Sequence, residues 1–326
     1  MLSIPVQGHE EEKAKCHFCQ LRAFPTHDQY PVTIVNTVDD AVMDPSFRFT
    51  NSSVLGPGVE RSRDEFRIGC ECTDAEDCQY RGCHCLQDMD EEDEDEDEDE
   101  HASQYAKKQY AYHSHGPRRG HLRSKILTSR DPIYECHELC ACGPDCANRV
   151  VERGRRVPLQ VFRTPNRGWG ARSTVNIPQG TFVDKYMGEV ITAGEAGRRR
   201  AKSHIAQRKD VYLFALDKFS DSESLDERLR GAPLEVDGEF LSGPTRFINH
   251  SCNPNLRIFA RVGNHADKHI HDLAFFAIRY IPKGEELTFD YVDGIHDEDN
   301  DALDPDKQKD MTRCLCGSDD CRGYLW

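Results

Sequence analysis

The feature that most constrains this chain is a group of nine cysteines in two short clusters. The first cluster reads Cys70-x-Cys72-x5-Cys78-x4-Cys83-x-Cys85, and the second reads Cys136-x3-Cys140-x-Cys142-x3-Cys146. A tetrahedral zinc ion takes four ligands, so three zinc ions need twelve ligand positions. Nine thiolates fill those positions if three of them each bridge two ions. The count therefore predicts a three-zinc, nine-cysteine module.

The wider composition favours metal ligation over disulfides. The chain of 326 residues has 15 cysteines. Its start lacks the pattern of a secretion signal, and no stretch of 18 apolar residues predicts a membrane span. In a reducing compartment, cysteines at this density are typical of metal sites. The length accommodates two compact domains, or one domain with small appended modules.

The charge is distributed unevenly. The formal net charge is −16, and the unbroken acidic run Asp90 to Glu100 accounts for most of it. Such a surface attracts basic partners and repels nucleic acid. The alternative interpretation of the run is a solvated insert between the cysteine clusters. Arg118, Arg119, Arg123 and Lys125 form a local basic patch, which keeps a zinc-cluster DNA-binding protein open as a weaker hypothesis.

After Glu152 the pattern changes to short apolar runs that are rich in β-branched and aromatic residues and separated by Gly, Pro or Asp. Runs of this kind predict strands. They are Leu159 to Phe162, Thr181 to Ile191, Val211 to Leu216, Leu234 to Val236, Leu256 to Val262, Leu273 to Ile278 and Leu287 to Tyr291. One helix is predicted over Ala193 to Lys209. We expect a mainly β protein built from small sheets, with few short helices. No G-x-G-x-x-G motif follows a strand, which argues against a Rossmann-type cofactor site.

An ordered set of short motifs identifies a family. In chain order they are Arg167-Gly168-Trp169-Gly170, Gly188-Glu189, Arg246-Phe247-Ile248-Asn249-His250-Ser251-Cys252, Phe289-Asp290-Tyr291 and Cys314-x-Cys316-x4-Cys321-Arg322-Gly323. With the nine cysteines, this order resembles the pre-SET, SET and post-SET arrangement of heterochromatin-type SET-domain lysine methyltransferases. It is most similar to the fungal histone H3 lysine 9 enzymes that lack a chromodomain. The resemblance covers roughly residues 65 to 326.

The resemblance implies a domain organisation and a SET-domain fold of small sheets with a knot-like C-terminal segment. The expected parts are an N-terminal extension (1–64), a pre-SET module (65–150) with an acidic insert (88–100), a SET catalytic domain (151–294), a linker (295–309) and a post-SET zinc tail (310–326).

It also implies the reaction. Methyl groups would pass from S-adenosyl-L-methionine to the amine of histone H3 lysine 9 by in-line displacement. By resemblance, Tyr291 and Tyr186 place hydroxyls in the lysine channel. Phe289 stands where relatives carry either Phe or Tyr, and the missing hydroxyl predicts room for trimethyl-lysine. An apolar channel favours the uncharged amine over the ammonium ion.

The methyl-donor pocket is also assigned by resemblance. Glycines allow the backbone to approach a ligand closely, and a tryptophan offers a flat apolar face. The expected donor-binding residues are Arg163, Gly168, Trp169, Gly170, Tyr212, Arg246, Phe247, Asn249, His250 and Trp326.

A fourth zinc site is expected at the C-terminus. Cys252, Cys314, Cys316 and Cys321 would form a closed four-thiolate site, which leaves no position for water or substrate. That zinc would hold Leu325 and Trp326 over the lysine channel as a lid, while Asp217 would contact the basic peptide. All four zinc ions are therefore expected to be structural.

Two cysteines and three histidines are assigned no function, and two competing functions stay open. Cys16 and Cys19 lack further ligands, so a structural role is favoured. His265, His269 and His271 are interpreted as part of a solvated loop. A methyltransferase for another lysine and a catalytically silent reader of histone tails are the competing functions, although no donor-pocket residue is missing. The expected partners are the histone H3 tail and heterochromatin adaptor proteins in the nucleus, with neither membrane association nor strong direct DNA binding.

Overall fold

Strands carry most of the regular structure, which confirms the predicted fold class. The computed structural model describes residues 12–80, 83–86, 110–202, 212–292 and 306–325. Its strands are β1 (Val32–Val35), β2 (Arg48–Phe49), β3 (Val54–Leu55), β4 (Ile133–Tyr134), β5 (Leu159–Arg163), β6 (Trp169–Ser173), β7 (Phe182–Tyr186), β8 (Glu189–Ile191), β9 (Leu213–Ala215), β10 (Glu235–Asp237), β11 (Leu241–Ser242), β12 (Asn249–His250), β13 (Leu256–Val262), β14 (Asp272–Ala277) and β15 (Thr288–Phe289).

The helices are short. The α-helices in the described ranges are α1 (His17–Arg22), α2 (Ala75–Tyr80), α3 (Ser124–Thr128) and α4 (Ala193–Lys202). Short 3-10 segments lie at Asp64–Phe66, His84–Leu86, Gly116–Arg118, Glu227–Leu229, Pro244–Phe247, His265–Ile270 and Lys307–Asp310. None of these helices has the length and apolar character that crossing a bilayer requires.

The predicted elements are found with two differences. The helix expected over 193–209 is described only through Lys202, and residues 203–211 lie outside the described ranges. The run 181–191 is two strands, β7 and β8, that break at Gly188. A Cβ atom at Gly188 would lie 2.3 Å from the carbonyl oxygen of Asp237. Only glycine therefore fits at the break between the two strands.

The central sheet has the order β4-β13-β14-β7. Strand β14 reads as a continuous apolar run because both of its faces are covered. Phe275 faces the main core and lies 5.0 Å from the ring of Phe289, whereas Phe276 faces a second cluster and lies 5.4 Å from the ring of Phe182. This sheet therefore fixes the position of β15, from which the candidate site is built.

The N-terminal segment is woven into the other sheets. Its strands β1, β2 and β3 pair in parallel with β5, β11 and β8, respectively. Phe47, which precedes β2, is 2% exposed and lies 5.4 Å from the ring of Phe247. The residues that sequence analysis assigned to an extension thus complete three sheets and part of the main core.

A buried carboxylate ties the cysteine-rich segment to the central sheet. Glu135, whose side chain is fully buried, accepts hydrogen bonds from the Tyr112 hydroxyl (2.6 Å) and from the main-chain N–H of Val151 (2.7 Å). It also pairs with the Arg261 guanidinium at 3.0 Å. Removing one partner of a buried pair typically costs about 3–5 kcal/mol. This contact therefore fixes the cysteine-rich segment against β13.

Strands β12 and β15 are distant in sequence but pair in parallel. Asn249 is opposite Thr288 and His250 is opposite Phe289. The main-chain N–H of Ser251 continues the pairing by donating to the Phe289 carbonyl at 3.0 Å. The pairing brings the Asn-His motif beside the Phe-Asp-Tyr motif.

Candidate active site and metal centres

Four aromatic rings converge where β7, β9 and β15 meet. The ring centroids of Tyr186 and Phe214 are 4.5 Å apart, those of Phe289 and Tyr291 are 4.6 Å apart, and those of Phe214 and Phe289 are 5.7 Å apart. Their tilted and edge-on arrangements are the ones that aromatic pairs prefer. The rings thus pack against one another as one apolar cluster.

Two hydroxyls of this aromatic group have fixed directions. Tyr186 Oη donates to the Tyr212 carbonyl at 2.9 Å, and Tyr291 Oη donates to the Ile248 carbonyl at 2.8 Å. Burial raises the pKa of Tyr186 and the pKa of Tyr291, so both phenols stay neutral near pH 7. Because each proton is directed at a carbonyl, the oxygen lone pairs are available to accept a hydrogen bond from an amine.

A groove leads to these rings. Its volume is about 430 Å³, and Phe214, Asp217, His271, Phe289 and Tyr291 are among its lining residues. Strand β9 is the last strand in its sheet order, so one edge of it faces away from β10. An edge strand beside a groove can pair with an extended peptide. The structure thus places Asp217 along the path that an added peptide strand would take.

The glycine-containing loop between β5 and β6 is held from both sides. Arg163 is opposite Trp169 in the strand register, with its guanidinium carbon 5.9 Å from the ring centroid. Arg163 also pairs with Asp39 at 2.9 Å. Gly168 has a positive φ of 72°, and the nearest atom to an added Cβ would be Arg163 Nη1 at 3.7 Å. A flat indole beside an uncrowded glycine fits a purine-containing ligand.

Arg246 lies at the centre of an aromatic stack. Its guanidinium carbon is 4.2 Å from the Tyr212 ring centroid and 4.9 Å from that of Phe47. Its Nε donates to the Gly238 carbonyl at 3.0 Å. Phe247 is buried in the main core, so a ligand can contact this residue only through its backbone.

Asn249 and Glu286 connect the donor loop to β12. The Asn249 side-chain amide donates to Glu286 Oε1 at 2.8 Å and to the Trp169 carbonyl at 3.2 Å. Glu286 also forms an ion pair with Arg167. An added Cβ at Gly170 in β6 would lie 2.9 Å from Glu286 Oε1, so a larger residue there would displace the Glu286 side chain.

His250 links the aromatic group to the candidate zinc tail. Its Nδ1 accepts a hydrogen bond from the main-chain N–H of Tyr291 at 3.1 Å, so the neutral ring carries its proton on Nε2. Nε2 lies 3.3 Å from the Cys252 sulfur. Burial lowers the pKa of His250 to about 4, against the opposing effect of Asp290. The ring therefore acts as a neutral spacer between Tyr291 and Cys252.

The four C-terminal candidate ligands lie together. The sulfur atoms of Cys252, Cys314, Cys316 and Cys321 are all within 4.8 Å of one another. This spacing suits tetrahedral coordination by four thiolates. The tail is further held by Arg322, which donates to Asp290 at 2.6 Å. Leu325 lies in the tail hairpin, with its N–H donating to the Thr312 carbonyl at 2.8 Å, and Trp326 lies outside the described residues.

The nine cysteines of the other candidate centre also converge. Three quartets have sulfur atoms within 4.8 Å of one another, and Cys70 belongs to all three. The quartets are Cys70/Cys72/Cys78/Cys83, Cys70/Cys83/Cys85/Cys136 and Cys70/Cys78/Cys136/Cys142. Cys140 lies 3.5 Å from the Cys85 sulfur, and Cys146 is in hydrogen-bonding contact with Cys136. Overlapping quartets are what bridging thiolates require.

Three residues of the site were not predicted from the sequence. Phe214 lines the groove, Glu286 anchors the donor loop and Asp39 pairs with Arg163. Phe214 lies two residues after Tyr212 in one predicted strand, and residues at this spacing share a face of the strand. This spacing could have indicated Phe214. Asp39 and Glu286 meet their partners only through tertiary packing.

The histidine interpretation was wrong. His265, His269 and His271 lie in or directly after a 3-10 turn, and the last two are buried. Each ring hydrogen-bonds a main-chain carbonyl: His265 that of Cys85, His269 that of Glu60 and His271 that of Lys268. Long-range packing against Glu60 and Cys85, which local composition does not reveal, buries this segment.

Cys16 and Cys19 lie at the start of α1, and neither belongs to a possible metal group among the described residues. His17, between them, contacts the Phe47 carbonyl through Nε2 at 2.9 Å. The structural role expected for this pair stays a prediction.

Comparisons with known proteins agree with this geometry. The family model described as SET domain matches residues 168–292, and the one described as Pre-SET motif matches residues 25–149. The second match begins within the segment that sequence analysis assigned to the N-terminal extension.

Several proteins are similar over most of the chain. The histone-lysine N-methyltransferase, H3 lysine-9 specific KMT1, of Fusarium mangiferae is 59% identical over 98% of this chain and 95% of its own length. The H3 lysine-9 specific enzyme dim-5 of Neurospora crassa is 60% identical over the same shares. A solved structure of the Neurospora SET domain protein DIM-5 covers 88% of this chain and all of its own, with a TM-score of 0.74 and 56% identity.

A more distant match is KRYPTONITE, solved in complex with mCHH DNA, H3(1-15) peptide and SAH. It is 25% identical, with a TM-score of 0.65, and covers all of this chain and 56% of its own. The two fungal relatives, both above half identity over nearly the full length, decide the assignment. The chain belongs to the family of SET-domain histone-lysine N-methyltransferases that carry a pre-SET motif.

Proposed function

We propose that this protein transfers methyl groups from S-adenosyl-L-methionine to lysine 9 of histone H3. The observation that carries the proposal is 59–60% identity, over 98% of the chain, to two enzymes named as H3 lysine-9 specific. The aromatic group around Tyr291 supports it, because a lysine methyltransferase needs such a passage at the end of a peptide groove. The proposed site of action is chromatin in the nucleus, where the product would mark heterochromatin and silence genes.

The lysine channel would prepare the amine. The rings of Tyr186, Phe214, Phe289 and Tyr291 exclude water, and desolvation disfavours the ammonium form of a side chain whose ordinary pKa is about 10.4. The hydroxyls of Tyr186 and Tyr291, held by the carbonyls of residues 212 and 248, would then accept hydrogen bonds from the amine and fix its lone pair. Orientation of this kind supplies much of the advantage in a displacement reaction.

Donor binding is assigned to the loop and stack described above. When bound, S-adenosyl-L-methionine would supply an electrophilic methyl group. Trp169 would offer a flat face, and Asn249 and His250 would keep the loop and Tyr291 in place through their hydrogen bonds. The other residues proposed to hold the donor are Arg163, Gly168, Gly170, Tyr212, Arg246, the Phe247 backbone and Trp326.

Trimethyl-lysine is the proposed end product. Phe289 contributes no hydroxyl to the channel, and its ring centroid is 4.6 Å from that of Tyr291. A tyrosine at this position would hydrogen-bond the amine and reduce the room for added methyl groups. Phe289 therefore favours repeated transfer.

The proposed metals are structural: three zinc ions in the nine-cysteine module and one at Cys252, Cys314, Cys316 and Cys321. The last would hold Leu325 and Trp326 as a lid over the channel, and Asp217 would contact the basic peptide. The proposed domain organisation keeps the sequence-based boundaries, and strands β1, β2 and β3 of the N-terminal extension pair with strands of the SET domain.

The test is intact-mass analysis of histone H3 tail peptides after incubation with methyl donor, with and without a zinc chelator. We expect additions of up to three methyl groups to the wild-type peptide and none to a peptide with arginine in place of lysine 9. Chelation should abolish the additions. Equal methylation of both peptides would contradict the substrate assignment, and full activity in the chelator would contradict the metal assignment.

A further inference from the structure

One segment of this acidic chain has the opposite charge. From Tyr110 to Arg130 there is no acidic residue, while there are five Arg or Lys residues and three His. The segment lies between the two cysteine clusters. We define the basic ridge as Arg118, Arg119, Arg123, Lys125 and Arg130. Its concentration of positive charge in a protein of net charge −16 calls for a physical reason.

The ridge begins on a rigid turn. Tyr112 and Leu122 form an antiparallel bridge, and the His113 N–H donates to the His121 carbonyl at 2.9 Å. Gly116 and Gly120, with φ of 69° and 82°, allow the chain to reverse between them. Arg118 and Arg119 are exposed near the tip. The turn thus holds two guanidinium groups toward solvent.

Neighbouring arginines extend the positive region. Arg119 and Arg153 both reach the 144–146 loop, donating to the carbonyls of Asp145 and Cys146 at 3.3 Å each. Within the described ranges, no carboxylate forms an ion pair with either one. The pKa of Arg153 is lowered by burial and then by Arg156, which is exposed nearby. Arg153 and Arg156 thus add positive charge beside Arg119 of the ridge.

The ridge continues to the substrate groove. Lys125 lies on α3, whose five residues span roughly 8 Å. The Leu127 carbonyl near its end accepts a hydrogen bond from Arg257 Nη1 at 2.9 Å. Arg257 and Arg130 both line the groove that holds Asp217 and Tyr291. One band of positive charge thus connects the turn to the mouth of the candidate active site.

The surface chemistry indicates which anion fits. Tyr110 and Tyr112 are buried, so neither tyrosine of this segment offers a ring face for stacking unpaired bases. The ridge also lacks the apolar anchors typical of a protein interface core. A row of guanidinium and ammonium groups without either feature suits the phosphates of a double helix, which bind basic side chains independently of sequence.

We propose that the basic ridge contacts the phosphate backbone of nucleosomal DNA while the histone tail occupies the adjacent groove. This inference rests on the proposed function, because a nucleosome presents the tail and the duplex together. The contact is weak and salt-dependent, since the acidic balance of the whole chain opposes DNA binding. Its role is to favour nucleosomes over free tails as substrates.

The test uses the full chain with Arg118→Gln, Arg119→Gln and Lys125→Gln combined. Fluorescence anisotropy with a labelled 30-base-pair duplex measures binding across a salt series, and methylation is measured on H3 tail peptide and on nucleosomes. We expect duplex binding to weaken at least about tenfold and the salt slope to fall by roughly 2–3, because three phosphate contacts are lost. Nucleosome methylation should drop several-fold while peptide methylation stays unchanged.

A variant with the same charge change elsewhere is the control. Arg63→Gln, Lys283→Gln and Lys309→Gln alter exposed residues outside the ridge and should leave duplex binding close to wild type. Equal weakening in both variants, preference for single-stranded RNA or an acidic peptide over the duplex, or equal losses on peptide and nucleosome would overturn the proposal. Duplex binding by the ridge in a protein that methylates no histone peptide would instead refute the proposed function alone.

Discussion

A single hydroxyl decides much of the chemistry that we propose for the channel. The Tyr291 phenol is neutral, is held by the Ile248 carbonyl at 2.8 Å, and belongs to a residue whose N–H is bound by His250. These two contacts fix the side chain from both ends. The oxygen is therefore positioned before any substrate arrives, which is the condition for an effective orienting group.

Tyr291→Phe removes that oxygen and leaves the ring packing in place. We expect the turnover number to fall by about 10²–10³-fold, the range typical for loss of one preorganised polar group. The thermal midpoint should fall by only a few degrees, because the ring still packs against Phe289 while the buried Ile248 carbonyl loses its donor. Tyr280→Phe, at a residue that is 53% exposed, serves as the control and should retain full activity. Steady-state kinetics on an H3 peptide make the comparison, and wild-type turnover in Tyr291→Phe would remove the hydroxyl from the mechanism.

Phe289→Tyr adds a hydroxyl to the same channel. The Phe289 ring lies among Phe214, Phe275 and Tyr291, so the added oxygen would occupy space that a methylated amine needs. We expect the main product to shift from trimethyl-lysine to monomethyl-lysine, with the first transfer slowed less than tenfold. Mass spectrometry of the peptide products over time measures this shift. An unchanged trimethyl yield would show that another residue limits the product.

Among single residues, those that lie within short sequence motifs could be predicted from the sequence. Asn249, His250, Phe289 and Tyr291 lie in two short motifs, and the structure brings them together through β12 and β15. Glu286 carries no such signal because its partners, Arg167 and Asn249, are 119 and 37 residues away. Residues whose importance depends on long-range contacts can be recognised only once the chain is folded.

Among the elements, the C-terminal tail depends most on the cluster of four cysteines. Four sulfurs from two distant segments meet within 4.8 Å, and the Arg322–Asp290 pair lies directly beside Tyr291. The tail has little regular structure and few apolar contacts of its own. Its order should therefore depend on the metal that the thiolates would hold.

Cys321→Ser tests that dependence. We expect loss of one zinc ion per chain and at least a hundredfold fall in turnover, because the tail would no longer be held beside Tyr291. The nine-cysteine module shares no ligand with this site and should keep its metal. Zinc is quantified by atomic emission alongside the peptide assay. Cys16→Ser is the control, and full activity in Cys321→Ser would show that the tail is not a functional lid.

The strands differ in how well the sequence predicts them. Strands β5, β13 and β14 have five to seven residues with clear apolar patterns, and they are found where expected. Strands β2 and β3 have two residues each, which is too short for any periodicity. They exist because β11 and β8 provide parallel partners more than a hundred residues away.

In the whole molecule, the N-terminal segment packs into the same hydrophobic core as the candidate site. Phe47 and Phe49 pack against Phe247, and Phe47 also contacts the guanidinium of Arg246. Arg246 in turn stacks on Tyr212 and binds the Gly238 carbonyl. A path of direct contacts thus joins the first fifty residues to the proposed donor pocket.

Phe47→Ala tests this path through stability and donor affinity together. Truncating a buried phenylalanine costs about 3–5 kcal/mol, and urea unfolding should show a loss of this size. The same change removes one face of the Arg246 stack, so the KM for S-adenosyl-L-methionine should rise about three- to tenfold at a temperature where the variant is folded. The KM for the peptide should stay within twofold, because Phe47 is not among the described residues that line the groove.

Phe18→Ala is the matched control, since Phe18 lies on α1 of the same segment but is 58% exposed. It should change the free energy of unfolding by less than about 0.5 kcal/mol and leave both KM values at wild type. A Phe47→Ala protein that lost stability with an unchanged donor KM would place the N-terminal segment in the core but separate it from the donor pocket. Stability equal to that of Phe18→Ala would contradict the packing itself. The donor KM is measured on folded protein, and the free energy of unfolding is measured by urea titration of the same preparation. The two effects can therefore be assigned separately.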